Sequence, residues 1–208
     1  MRPFSHACEN NKQPILSVLQ NYLQQPLKLQ KPLKVWEIGS GTGQHAVYFA
    51  QQLPHIQWQP TDLKPALAGI NLWIDESQTD NLLRPLLLDV CSLQWPTNEM
   101  GAAFTANTIH IMSDTATRNM FLGVGSRLLP GGLFFTYGPF LYKGRYTSDS
   151  NQTFDQWLKE RDPLSGIKEI EVLKTHAASV GLSLVKDHNM PANNQLLVWK
   201  KVLAATHP

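Results

Sequence analysis

Short apolar runs alternate along the chain with stretches whose apolar residues recur at three- and four-residue spacing. That alternation of strand-like and helix-like periods is the mark of a mostly parallel sheet with helices packed on it. Ile15, Leu16, Leu19, Tyr22 and Leu23 define a first helix over "PILSVLQNYLQQ", with Pro14 suited to its first turn. "LKVWEIG" reads as the first strand, "HAVYFAQQL" as a helix, and "IQWQPTD" as the second strand, ending in an acid. A helix is predicted from about Pro65 to Asp75, then a third strand "RPLLLDV" closing at Asp89. "AAFTANTIHI" is a fourth strand running into a loop, and "TRNMFLGVGSRLL" is helical. "PGG" marks a turn before the fifth strand, "LFFTYGPF". "KEIEVLKTHAASVG" is a helix ended by Gly181, and "LSLVKDHNM" and "NQLLVWKKV" are two last strands joined by "PANN". Strands so closely joined pair antiparallel. The expectation is therefore five β/α steps plus a terminal hairpin, an α/β sheet with one reversed strand.

At 208 residues the simplest organisation is one domain over 1–208. Within it, 1–30 would form an N-terminal helical cap. The polar segment 141–167 would be a lid-like insertion holding a short helix. A 42% hydrophobic content with only 16% charged residues describes a compact core rather than a disordered interaction protein. Net charge is +2, and the nearest thing to a basic cluster is Lys28, Lys31 and Lys34 in a Pro-flanked connector. Without a basic stripe, no nucleic-acid partner is expected. Cys8 and Cys91 show no framework spacing, which suits a reducing compartment. "MRPFSHACENN" has no apolar leader segment, and no run is long enough to span a bilayer. A cytoplasmic protein without membrane partners is the expectation, and the oligomeric state is left open.

The stretch "VWEIGSGTGQHAVYFA" carries the chemistry. A dinucleotide fingerprint needs G-x-G-x-x-G, with the third glycine letting the helix pack beneath a pyrophosphate. Here Gly39, Gly41 and Gly43 are spaced G-x-G-x-G around Ser40, and Gln44 stands where the fingerprint wants glycine. Glu37, just before the turn, would repel a pyrophosphate but attract an ammonium or sulfonium. Asp62, at the end of the second strand, is placed to accept both hydroxyls of a ribose. Asp89, on the same carboxyl edge, is placed to accept from an adenine amino group. A polar cradle with acids for amine, ribose and base describes S-adenosylmethionine (SAM) better than NAD.

"VWEIGSGTG", Asp62, the "LDV" at Asp89 and "LLPGGLFFTYGPF" together resemble the class I SAM-dependent methyltransferases over roughly Leu33 to Val202. More closely, "ENNKQPILSVL", "GSGTGQHAVYFA", "WQPTD", "FTANTIHI", "YGPF", "RDPLSGIKEIE" and "MPANNQLLV" resemble the methyltransferase-like protein twenty-six family. The resemblance implies a Rossmann-like three-layer sandwich, a seven-stranded sheet with an antiparallel hairpin strand, and SAM as cofactor. It implies that Glu37, Gly39, Gly41, Gly43, Asp62 and Asp89 are cofactor residues; Ser40, within the same turn, is a further cofactor candidate. It implies no particular substrate. One departure is Asn10, which follows Glu9 where that family usually has a basic residue.

Methyl transfer needs an aligned nucleophile and, where required, a base, but no metal. The seven His show no metal-ligand spacing, so no metal is expected. Asn107, after the fourth strand, falls beside the transferable methyl in such enzymes. It is not followed by Pro-Pro-Tyr, which weighs against adenine or glutamine acceptors. His110 is the candidate base, because its unperturbed pKa lies near neutrality; packing under the cofactor is the competing role. Tyr137 leaves the fifth strand on the same edge, as a catalytic contact or as core. His45, opening the helix after the glycine turn, would donate to a SAM carboxylate, or simply be exposed. Candidate substrate contacts are Asn11 and Lys12 before the first helix, Tyr142 in the insertion, and Asn193 and Asn194 in the hairpin turn. Asn is equally an ordinary N-cap and turn former. Arg161 and Asp162 are expected to pair with each other. The leading reading is a SAM-dependent methyltransferase acting on a small molecule. The alternatives are a catalytically silent SAM-binding regulatory or scaffold protein and an NAD-dependent reductase.

Overall fold

The computed structural model describes residues 2–23, 32–92 and 94–202. The connector bearing Lys28 and Lys31 lies outside the described residues, as do both extreme ends of the expected 1–208 domain and the end of its 1–30 cap. The strands are β1 (Leu33–Ile38), β2 (Ile56–Asp62), β3 (Leu86–Leu87), β4 (Met100–Ala106), β5 (Leu128–Gly138), β6 (Phe140–Leu141), β7 (Lys168–Glu169), β8 (Leu182–Met190) and β9 (Asn194–Lys201). The helices are α1 (His6–Leu23), α2 (Gln44–Gln52), α3 (Lys64–Asp75), α4 (Asp114–Arg127), α5 (Asp149–Arg161) and α6 (Ile170–Ala178). Seven strands form one sheet in the order β3-β2-β1-β4-β5-β9-β8. Only β9 runs against the rest, pairing antiparallel with β5 on one side and β8 on the other. The seven-stranded, mostly parallel sheet with a reversed hairpin strand is thus as the sequence implied.

Both faces of the sheet are buried, and the period-2 alternation of each central strand sorts side chains between two cores. Val35, Ala102, Phe104, Phe135 and Val198 face one core, closed by Ile15 and Leu19 of α1, Phe49 of α2 and Ile70 of α3. Trp36, Ala103, Phe134, Leu197 and Trp199 face the other, under Phe121 of α4 and Leu173 of α6. The indole nitrogens of buried tryptophans find partners inside: Trp199 Nε1 donates to Thr136 Oγ1 at 3.1 Å and Trp58 Nε1 to Glu37 Oε2 at 3.0 Å. Ser113 and Ser148 cap α4 and α5 by accepting from Ala116 N and Asn151 N.

Three local expectations are corrected. The first helix begins at His6, not at Pro14, because Ser5 caps it: its carbonyl accepts from Glu9 N and its hydroxyl from Cys8 N. Pro14 sits inside the helix, so the Asn10 carbonyl has no helical N–H to accept from. "PGG" is not a turn before β5 but a bulge within it, where the register slips between Met100↔Leu128 and Ala102↔Leu133 and Gly131 takes φ +80°. The third strand pairs over only two residues, Thr61↔Leu86 and Asp62↔Leu87, leaving Asp89 beyond it. β6 and β7, a short parallel pair absent from the sequence reading, tie together the two ends of the segment that carries α5. No helix among the described residues is long and apolar enough to cross a membrane.

Gly123 of α4 lies flush on the Trp95 ring; a Cβ there would stand 2.1 Å from Trp95 Cζ2. Elsewhere in a helix Gly→Ala stabilises by roughly 1 kcal/mol. Gly123→Ala is instead expected to destabilise by about 1–3 kcal/mol through overpacking, as read by urea denaturation.

Candidate functional site

The Gly39–Gly43 turn is gripped by the end of β2. Gly39 N and Ser40 N both donate to Thr61 O at 3.0 Å, and Gly41 N donates to Asp62 Oδ2 at 2.6 Å. The other Asp62 oxygen accepts from Leu63 N at 2.7 Å. Burial raises the Asp62 pKa, while the two N–H groups pull it down. Glycine is required at Gly39, where φ is +74° and a Cβ would meet Thr108 at 2.9 Å. At Gly41, with φ +57°, a Cβ would meet nothing within 4 Å.

Beneath this turn opens a cavity of about 670 Å³, bounded by Gly39, Ser40, Gly41, His45, Asp62, Asp89 and Asn107 among others. Seven sequence-predicted cofactor residues therefore come together. Asp89 Oδ1 accepts from Cys91 N at 2.9 Å, leaving its second oxygen free of any partner among the described residues. The volume falls in the range of small-molecule sites, and the two carboxylates stand on the carboxyl edge where ligands of open α/β sheets bind. These carboxylate acceptors fit a nucleoside that donates from ribose hydroxyls and an amino group.

Two predicted cofactor residues do not border this cavity. Gly43 packs against Ile70 of α3, with a would-be Cβ 3.1 Å from Ile70 Cα. Glu37 is 1% exposed, and its Oε2 accepts the Trp58 indole N–H. Burial pushes its pKa up to about 8. The expected free carboxylate for an ammonium is corrected to a neutral, buried carboxyl that anchors β1 to β2.

A second cavity of about 540 Å³ adjoins the first, and both are bordered by Ala7 and Asn107. Asn107 is held there by φ +55° and by donating its N–H to Tyr137 O at 2.9 Å. Asn11, His110, Tyr137 and Asn194 border the second cavity, drawn from α1, the turn after β4, β5 and β9. His110 is 6% exposed, with Phe154 edge-on at 5.1 Å. Burial, and secondarily the Lys168 charge, lower its pKa to about 4, so the imidazole is neutral at pH 7. Burial raises the Tyr137 pKa, opposed by the Asn11 and Asn194 amides at its hydroxyl.

Other expectations are corrected by specific partners. His45 is 4% exposed, with Nε2 2.7 Å from Asn11 Oδ1, and burial beside Lys12 lowers its pKa to about 4. Its Nε2 thus orients Asn11 and is spent within the protein. Lys12 borders neither cavity; it pairs with Glu9 and lies 4.9 Å over the Tyr48 ring. Tyr142 donates to Asp187 Oδ2 at 2.7 Å, away from both cavities. Asn193 is exposed and binds the helix opposite, its carbonyl accepting from Asn151 Nδ2 at 2.9 Å. Arg161 and Asp162 do not pair: Arg161 lies over Trp157 at 5.6 Å, and Asp162 Oδ1 accepts from Leu164 N.

Sequence reasoning missed the roof. Gln44, conspicuous only as a missing glycine, accepts Ser5 N at 2.5 Å and donates to Ser5 O at 3.3 Å. Pro3 sits against Gly69, and Pro3 O accepts from Trp73 Nε1 at 2.7 Å, laying the N-terminal strand of chain over α3. Ser5 and Cys8 thereby border the first cavity. The Ser5 cap three residues before Cys8 was the available signal. Among the described residues no group of three His, Cys, Asp or Glu is placed to hold a metal ion.

A seven-stranded sheet with β9 reversed and a glycine turn over two edge acids defines the class I methyltransferase fold. The chain belongs to the family described as "Protein of unknown function (DUF938)", whose pattern matches residues 2–201. Solved structures share the fold. An O-methyltransferase family protein from Burkholderia thailandensis superposes with TM-score 0.79 at 12% identity, over 94% of this chain and 57% of that one. Human N-acetylserotonin methyltransferase in complex with SAM gives 0.74 at 14% identity, over 95% and 53%. An O-methyltransferase family 2 protein from Planctomyces limnophilus in complex with apigenin gives 0.72 at 13%, over 93% and 62%. The chain thus spans only about half to three-fifths of the length of these proteins.

The buried Glu37 makes stability pH-dependent in a definite direction. Its folded pKa of about 8 exceeds its ordinary value of 4.5, so the native state holds a proton that the unfolded chain has lost. Its contribution is full below pH 4.5 and disappears as pH rises through 8. Glu37→Gln keeps an acceptor for the Trp58 N–H and never ionises. Between pH 5 and pH 8 the wild type should lose roughly 2 kcal/mol or more relative to this variant, read by denaturation at each pH.

Proposed function

We propose that the protein is a SAM-dependent methyltransferase acting on a small-molecule acceptor. The observation that carries this reading is the pair of cavities meeting at Asn107, one with edge carboxylates and one with a neutral buried imidazole. In this reading Asp62 binds the ribose, Asp89 the adenine amino group, and Gly39, Ser40 and Gly41 let the ligand lie against backbone. When bound, SAM supplies a methyl group made electrophilic by its sulfonium.

The chain's own residues do the rest. Asn107 stands between the cavities and aligns the two ligands. His110, neutral at pH 7, is able to accept a proton from an acceptor in the second cavity. Tyr137 hydrogen-bonds that acceptor. Segment 141–167 acts as the lid, since Ser150, Asn151 and Phe154 of its helix border the second cavity. Its latch is the Asn151–Asn193 hydrogen bond.

The resemblance to the methyltransferase-like protein twenty-six family belongs to this reading, on the motifs around Gly39, Asp62, His110 and Asn194. A 1–208 unit acting in the reducing cytoplasm without nucleic-acid or membrane partners completes it.

Titration calorimetry should show SAM and S-adenosylhomocysteine binding, and NADH not binding. Asp62→Ala should weaken both adenosyl ligands about tenfold or more, through loss of a hydrogen-bonded charge. His110→Ala should leave SAM affinity near wild type and lower turnover about 100-fold or more. Equal loss of both would make His110 a cofactor residue.

A further inference from the structure

We propose that the second cavity selects an uncharged, ring-bearing acceptor with hydroxyl or amide N–H groups, and excludes charged acceptors. This rests on the methyl-transfer reading. The cavity is bordered by five carboxamides, Asn10, Asn11, Asn107, Asn151 and Asn194. Among the described residues, none of the cavity's borders is Lys, Arg, Asp or Glu.

The charged groups around it are already committed. Lys12 pairs with Glu9, and Lys168 with Asp114 at 2.8 Å. Asp155 accepts from Tyr146, Lys159 and Ile167 N at 2.6–2.7 Å. A carboxylate or ammonium entering here would lose its hydration with no counter-ion to replace it, a cost of several kcal/mol.

The carboxamides are not free rotors. His45 takes Asn11 Oδ1, which turns the Asn11 amide N–H groups to the Tyr137 hydroxyl. Thr147 Oγ1 and Asn193 O take Asn151 Nδ2, and Pro191 O and Ala192 O take Asn194 Nδ2. Those two residues therefore present Oδ1 as acceptors. Two framework-locked groups thus offer acceptors to a ligand. They match a neutral ligand with hydroxyl or amide N–H groups rather than an anion, which would meet two carbonyl oxygens.

The remaining walls are flat and apolar. Phe154, stacked on Trp157 at 5.8 Å and edge-on to His110, faces a cavity that also includes Tyr137 and Pro139. About 540 Å³ suits a molecule of one or two rings.

Transfer to such an acceptor keeps the cavity free of ionic ligand throughout. The bond from the acceptor's oxygen or nitrogen to hydrogen breaks, and the proton passes to a ring nitrogen of His110. A bond from that atom to the methyl carbon forms as the carbon–sulfur bond breaks, its electron pair remaining on sulfur. The methylated product is as neutral as the acceptor was.

The test titrates three matched probes into protein saturated with S-adenosylhomocysteine: 3,4-dihydroxybenzamide, 3,4-dihydroxybenzoate and 3,4-dihydroxybenzylamine. The benzamide should bind at least about tenfold tighter than either ion, since one uncompensated charge outweighs a tenfold step. Asn10→Lys, at an exposed position on the cavity border, should narrow the gap for the benzoate and locate the binding here. Either ion binding as tightly as the benzamide, no benzamide binding, or an unresponsive Asn10→Lys variant overturns the proposal. If S-adenosylhomocysteine itself fails to bind, the methyl-transfer reading falls instead. The same three titrations of the unsaturated protein then still decide the charge preference of the cavity.

Discussion

The site depends on one grip: the carboxyl end of β2 holding the glycine turn after β1. A single carbonyl, Thr61 O, accepts from two successive turn amides, and the next side chain, Asp62, takes the third. These bonds bend the chain sharply enough to start α2 under the sheet's edge. They also fix one wall of the first cavity and consume part of the Asp62 carboxylate. Ser40 is buried, and a buried amide without a partner costs on the order of 1–3 kcal/mol; with its two neighbours bonded as well, this corner is a fixed reference. Beneath it, Glu37 and Trp58 join the same two strands by a side-chain bond inside the core.

From that corner the rest of the pocket is assembled by long-range contacts. Gln44, the first residue of α2, reaches back to both backbone groups of Ser5 and so places the start of α1 over the cavity. The same helix carries Asn11 into the second cavity, where His45 of α2 sets its orientation. Two elements nearly forty residues apart thus share one hydrogen-bonded seam that borders both cavities. The hairpin turn after β8 and the helix α5 meet across the far side through Asn193 and Asn151. Reversal of β9 makes this possible, because an antiparallel strand at that position returns its turn to the carboxyl edge, where β5 ends.

The two histidines and Glu37 show how burial, rather than residue type, decides protonation. All three are nearly fully covered, and all three are driven to the neutral form: the carboxyl pushed up, the imidazoles pushed down. Asp62 and Asp89 stand instead on the rim of the first cavity, where backbone N–H groups accompany them. Charge is confined to the first cavity's edge, and the second is walled by amides and rings.

The strand and helix order, the reversed hairpin and the glycine turn were legible in the sequence. They rest on local periodicity and on turn chemistry that a few consecutive residues express, as in "EIGSGTG" and the alternation of β5. The place of Gly39, Asp62, Asp89 and Asn107 on one edge was legible for the same reason, since each sits at or just past a strand that the pattern already orients. Not legible was which side chains would be spent on partners distant in sequence. Tyr142 and Asn193 look like ligand contacts until Asp187 and Ser150 are brought to them, and Lys12 until the Tyr48 ring lies beneath it. Glu37 looks like a charged contact until Trp58 covers it, and Gln44 looks like a defect until Ser5 folds onto it. Sequence by itself determined the fold and the edge on which the glycine turn and the two acids meet, because hydrophobic period and backbone sterics act within a few residues. Only the tertiary structure decided which groups remain charged and unpaired, because burial and hydrogen-bond partnership are properties of the assembled chain.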